Sequence, residues 1–90
     1  MQEIVVEWAD LTPARIEQII TSLDLSISLR TTLAKFPGSI HWHLKKRRER
    51  GTLELTLWPR ERRVWISIQD GRRGEWTDAM AEQLKCALER

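Results

Sequence analysis

The residues best equipped for chemistry lie between positions 41 and 58, HWHLKKRRERGTLELTLW. Lys45, Lys46, Arg47, Arg48 and Arg50 form a basic run broken only by Glu49, and Arg72 and Arg73 repeat the theme before the last segment. Clustered ammonium and guanidinium groups neutralise phosphates and release their counterions, so the run is a candidate surface for nucleic acid or another polyanion. His41 and His43 stand at i and i+2, close in the pattern to Glu54. Two imidazoles and a carboxylate can ligate zinc. Their spacing implies no further ligand, so the expectation is no metal and no cofactor.

Five tryptophans and no tyrosine are an unusual aromatic choice for 90 residues. Trp58 and Trp65 fall among charged residues, where exposed rings stack unpaired bases, anchor a protein interface, or shield a sheet face from water. Catalytic groups are harder to find. Cys86 reads as a small hydrophobe at the edge of an apolar stripe. No Ser-His-Asp arrangement, glycine-rich phosphate loop or paired carboxylates can be traced, and the Gly71 to Gly74 segment is too short for a nucleotide loop. The chain is expected not to be an enzyme, and no small-molecule substrate suggests itself.

Size and composition bound the rest. Ninety residues with 41% hydrophobic and 31% charged side chains suit one globular domain spanning residues 1–90. A single cysteine rules out an internal disulfide and fits a reducing compartment. The opening MQEIVVEWAD lacks the basic-then-apolar pattern of a secretory signal, and no apolar run approaches a membrane span. A cytoplasmic location without membrane contact is the expectation. The net charge of +2 is unevenly spread: −3 over residues 1–34, +7 over 35–73 and −2 over 74–90. Anions should therefore be drawn to the middle third.

These groups must be positioned by secondary structure. Residues 3–8, EIVVEW, read as a strand. Thr12 as N-cap, Pro13 at the first position and Ile16, Ile19, Ile20 and Leu23 on one face predict a helix. Leu29, Leu33 and Phe36 share a helical stripe behind Ser26 or Ser28, with Pro37-Gly38 as a stop, and predict a second helix over 27–36. From Ser39 the apolar period becomes 2. Ile40, Trp42 and Leu44, then Leu53, Leu55 and Leu57, then Val64, Ile66 and Ile68 predict a three-stranded antiparallel meander. Pairing Leu44 with Leu53 and Leu57 with Val64 puts every apolar position on one face, and sets Glu54 opposite His43, Trp65 opposite Thr56 and Trp58 opposite Arg63. That last pairing permits a cation–π contact. Residues 75–89 complete the chain as an amphipathic helix carrying Trp76 and Met80 inward.

The expected fold is α+β, a two-layer sandwich of order β-α-α-β-β-β-α with helices on one face of the sheet. In it Lys45, Lys46, Arg47, Arg48, Arg50, Arg72 and Arg73 gather at one end beside the start of the last helix, whose free N–H groups favour anions. Helix, meander, helix over residues 27–90 resembles the element order of the double-stranded RNA-binding domain. In that family the hairpin loop and the basic start of the last helix contact the duplex. The resemblance implies RNA contact at the same two places, although GRRGEWTDAM stands where the family has a Lys-rich, Ala-rich helix start. The competing expectation is a protein-interaction or self-associating domain using Trp58, Trp65, His41, His43 and Arg63.

Overall fold

In the computed structural model, which describes all 90 residues, the elements are β1 (Gln2–Val6), α1 (Pro13–Ser22), β2 (Ser26–Thr31), β3 (Ile40–Lys45), β4 (Leu53–Trp58), β5 (Arg63–Ile68) and α2 (Thr77–Glu89). The strands make one antiparallel sheet of five, in the spatial order β1-β5-β4-β3-β2. Both helices cover the same face, so the fold is α+β in two layers. No helix is long and apolar enough to cross a membrane.

Local chemistry accounts for the helices. The Thr12 hydroxyl accepts a hydrogen bond from the Arg15 amide at 3.1 Å, and Pro13 occupies the first turn of α1, where its missing N–H costs nothing. Ile16, Ile19 and Ile20 point into the core, and the helix gives way to Asp24 in the left-handed region. In α2, Met80, Ala81, Leu84 and Leu88 form the buried stripe, backed by Trp76. Between the layers lie Trp42, Leu44, Leu53, Leu55, Leu57, Val64, Ile66 and Ile68. Each such side chain contributes about 1.5–3 kcal/mol on burial.

The meander has the register that the alternation predicts. Ile40, Trp42 and Leu44 face Leu57, Leu55 and Leu53, while Leu55 and Leu57 face Ile66 and Val64. His43 stands opposite Glu54, Thr56 opposite Trp65, and Trp58 opposite Arg63. The N-terminal strand joins the β5 edge, with Val6 opposite Val64.

One expectation is overturned. Residues 26–31 are a strand, and no helix spans 27–36. Ser26, Ile27, Ser28 and Leu29 alternate with period 2, and β3 offers them an open edge to pair with. The Ser26 and Ser28 hydroxyls donate to the Lys45 and His43 carbonyls, so residues expected to cap a helix fasten a strand instead. A register shift between Ile27 and Leu29 leaves Ile27 beside Leu44 and swings Leu29 to the opposite face beside His43. Pro37-Gly38 closes a turn rather than a helix, Gly38 taking a φ of 82°. With its first helix gone, the likeness in element order to the double-stranded RNA-binding domain lapses.

Candidate functional site: the hairpin tip and the open sheet face

The β3–β4 hairpin is clamped to the segment that leads into α2. The Thr52 amide donates to the Arg72 carbonyl at 2.9 Å, and the Trp76 indole N–H donates to the Arg50 carbonyl at 2.7 Å. Backbones touch here. A side chain at Gly74 would collide with the Arg50 carbonyl oxygen, and Gly51, at a φ of 112°, has Gly74 N where its Cβ would lie 2.9 Å away.

The basic residues of this end have different fates. Lys45 folds back, donating to the Gly51 carbonyl at 2.9 Å and the Thr52 hydroxyl at 3.1 Å. Arg47, itself in the left-handed region, grips one oxygen of Asp24 through Nε and Nη2 at 3.0 and 2.8 Å, which raises its pKa further. Lys46 pairs with Glu49 at 3.9 Å. Arg73 pairs with Asp78 in the first turn of α2 and reaches Gln2 at 2.8 Å, so the helix's positive end is already served by its own acid. Arg48 and Arg50 are exposed and have no ion-pair partner. Arg72 turns away from the tip and lies over the open face of the sheet.

That face carries the second cluster. Glu54, its side chain only 8% exposed, has His41 Nε2 at 3.3 Å, Arg72 Nη1 at 3.7 Å and His43 Nε2 at 3.9 Å. His41 is buried, and its Nδ1 is hydrogen-bonded to the Thr56 hydroxyl at 2.8 Å. Burial lowers the His41 pKa; Glu54 opposes the shift and His43 adds to it. Neutral imidazole is therefore the resting form of His41 near neutral pH. The groups border an open hollow of about 580 Å³, completed by Leu29, Thr31, Leu33, Gln69 and Gly71. They are the residues able to hold a metal, because their three ligand atoms lie within 4.8 Å of one another.

The tryptophans sort into core and cover. Trp42 and Trp76 are buried between the layers, and Trp8, partly buried, packs against the same core. On the open face Trp65 is 6% exposed, because the ring of Phe36 in the β2–β3 connection sits 5.0 Å from it and 4.9 Å from Trp58. The Trp58 indole donates to the Pro37 carbonyl at 2.9 Å. Arg63 stands opposite Trp58 in register, yet its guanidinium lies over Trp65, 4.9 Å from the ring centre. Of the three roles expected for Trp58 and Trp65, these contacts fit the shielding of the sheet face. Cys86, expected to be buried, is exposed on the outer side of α2.

Asp24, Asp78 and Thr56 were given no site role from the sequence, and Phe36 was placed only on a helical stripe. Only Thr56 had a usable signal there, being the residue between His41 and Trp65 across the predicted register. No family model, curated protein or solved structure matches this chain.

Proposed function

We propose that this domain is a cytoplasmic binding module without catalytic activity, and that its partner is a polyanion, RNA or DNA, met by the hairpin tip. The observation that supports the reading is the Gly51–Gly74 clamp, which holds the tip rigid so that Arg48 and Arg50 project with no acid to neutralise them. Arg47 and Lys46 add to that surface, since exposed ion pairs are worth only about 0–1 kcal/mol and a phosphate can displace Asp24 or Glu49. Arg72 and Lys45 contribute less, because they are engaged with Glu54 and the hairpin backbone.

The test is a titration of the protein with labelled single- and double-stranded RNA and DNA at several salt concentrations. Binding should weaken steeply with salt, by about 0.9 in the logarithmic slope for each phosphate neutralised on a duplex. Arg48→Glu with Arg50→Glu should cut affinity at least tenfold and leave unfolding within about 0.5 kcal/mol, as exposed charges contribute little to stability. Undiminished binding in that double variant removes the reading.

A second reading, self-association through the sheet, is favoured by the β2 edge rather than by Trp58 and Trp65. All six residues of β2 are exposed, with Ile27 at 39% and Leu29 at 44%, and its outer backbone groups have no neighbouring strand. Sedimentation at rising concentration distinguishes the two: a chain that stays monomeric leaves only the polyanion reading.

A further inference from the structure

Glu54 is a carboxylate buried by nine-tenths whose neighbours all stand too far off for a strong bond. Charge-assisted N–H···O contacts close to about 2.7–2.9 Å, whereas those of Glu54 measure 3.3, 3.7 and 3.9 Å. Such contacts supply Coulomb attraction but no close hydrogen bond to set against the carboxylate's desolvation cost. The sheet nevertheless builds the arrangement carefully: His43 and Glu54 are register partners, His41 follows two residues earlier on the same face, and Thr56 fixes the His41 ring through Nδ1.

The spacing suits an ion. Two ligands each about 2.0–2.1 Å from a tetrahedral zinc stand about 3.3–3.4 Å apart, and His41 Nε2 to Glu54 Oε1 is 3.3 Å. The His43 edge to Glu54 is longer, 3.9 Å, and has to shorten for both groups to ligate one ion. The Thr56 contact gives His41 the partner that metal-bound imidazoles have on the nitrogen away from the ion. Arg72, half exposed, lies 3.7 Å from Glu54 and 3.5 Å from His43 Nδ1, so an arriving ion competes with its guanidinium for the carboxylate.

We infer that His41, His43 and Glu54 form a binding site for a divalent transition-metal ion of the Zn²⁺ class, with its fourth position open to the hollow beside Leu29 and Thr31. The donor set, two imidazoles and one carboxylate, is of the borderline character that Zn²⁺ takes and Mg²⁺ or Ca²⁺ does not. The site is independent of the hairpin tip, and either can fail without the other.

The experiment is a Zn²⁺ titration of the full chain, read by calorimetry and by the imidazole resonances of His41 and His43. One ion per chain should bind, with both Nε2 signals shifting and near-ultraviolet dichroism unchanged. Glu54→Gln, which keeps the volume, and His43→Gln should each weaken binding more than tenfold. Thr56→Val should weaken it about 10–100-fold by freeing the ring. Arg72→Gln should tighten it by removing a competing cation, and Cys86→Ser should change nothing. Absence of saturable binding at neutral pH, or binding that persists in Glu54→Gln with both histidine signals unmoved, overturns the assignment. If Glu54→Gln fails to fold, the His43→Gln titration decides alone.

Discussion

The two faces of the sheet bury their residues by different means. Under the helices the inward positions of β3, β4 and β5 are aliphatic or aromatic, from Trp42 through Leu55 to Ile66, and contact with α1 and α2 removes them from water. On the other face no helix is present, yet His41, Glu54, Thr56 and Ser67 are buried as deeply as many core residues. Cover on this face comes from side chains and a connection: Phe36 from the β2–β3 connection lies on Trp65, and Arg72 lies over Glu54. The first face is a packing solution, where shape and volume decide. The second keeps polar groups at positions that a valine or leucine would fill at lower desolvation cost.

The sharpest way to break this contrast is to remove volume from one face and polarity from the other. Leu55→Ala, between Trp42 and Ile66, should cost about 3–4 kcal/mol in chemical denaturation. Thr56→Val next to it, losing one hydrogen bond and no volume, should cost about 1 kcal/mol. Equal losses would mean the two faces are held alike.

Phe36→Ala tests whether the open face is covered in solution. It should destabilise by about 1–2 kcal/mol, since Phe36 contacts both Trp58 and Trp65, and shift tryptophan emission to longer wavelength as Trp65 meets water. Unshifted emission would show that the connection does not lie on the sheet.

The smallest effect concerns a polar fastening of the helix layer at the end of α2. Glu89 near the end of α2 accepts the Glu7 amide at 2.8 Å and the Lys85 ammonium at 3.1 Å. The backbone hydrogen bond from Glu7, then that from Lys85, lowers its pKa below 4.5. The folded state thus releases this proton more readily than the unfolded one, so the fastening is fully effective above about pH 4.5 and is lost as pH falls through the folded value. Glu89→Gln should lower stability slightly at neutral pH, leave it nearly unchanged below the folded pKa, and so flatten the acid limb of the stability curve. An unaltered acid limb would remove Glu89 as a fastening.

What could be read from the residues followed their period. Ile40 to Ile68 alternate so regularly that only one register puts all of them inward, and α1 announced itself through Thr12 and Pro13. Residues 27–36 misled because Leu29, Leu33 and Phe36 are spaced like a helical stripe, while the competing alternation over Ser26 to Leu29 needed the free edge of β3 to decide it. The functional groups were legible as residues and not as an arrangement. Arg47 and Asp24 lie 23 positions apart, and nothing local shows that folding brings them together and discharges part of the basic run. The burial of His41 and Glu54 likewise depends on a connection whose course only the folded chain defines.

The pairing of β1 with β5 has a consequence for how the chain assembles. Gln2 meets Ile68, whereas Ile40 meets Leu57 within a single hairpin, so the meander can close early and β1 must wait for most of the chain. During synthesis the β5 position is the last of the sheet to emerge, and until it does the apolar side of β1 has nowhere to go. Val5, still 73% exposed in the finished fold, marks the outer edge of this late-docking strand. Chains that end before residue 63 should therefore carry an unattached, aggregation-prone N-terminal segment that pairing with β5 would put away.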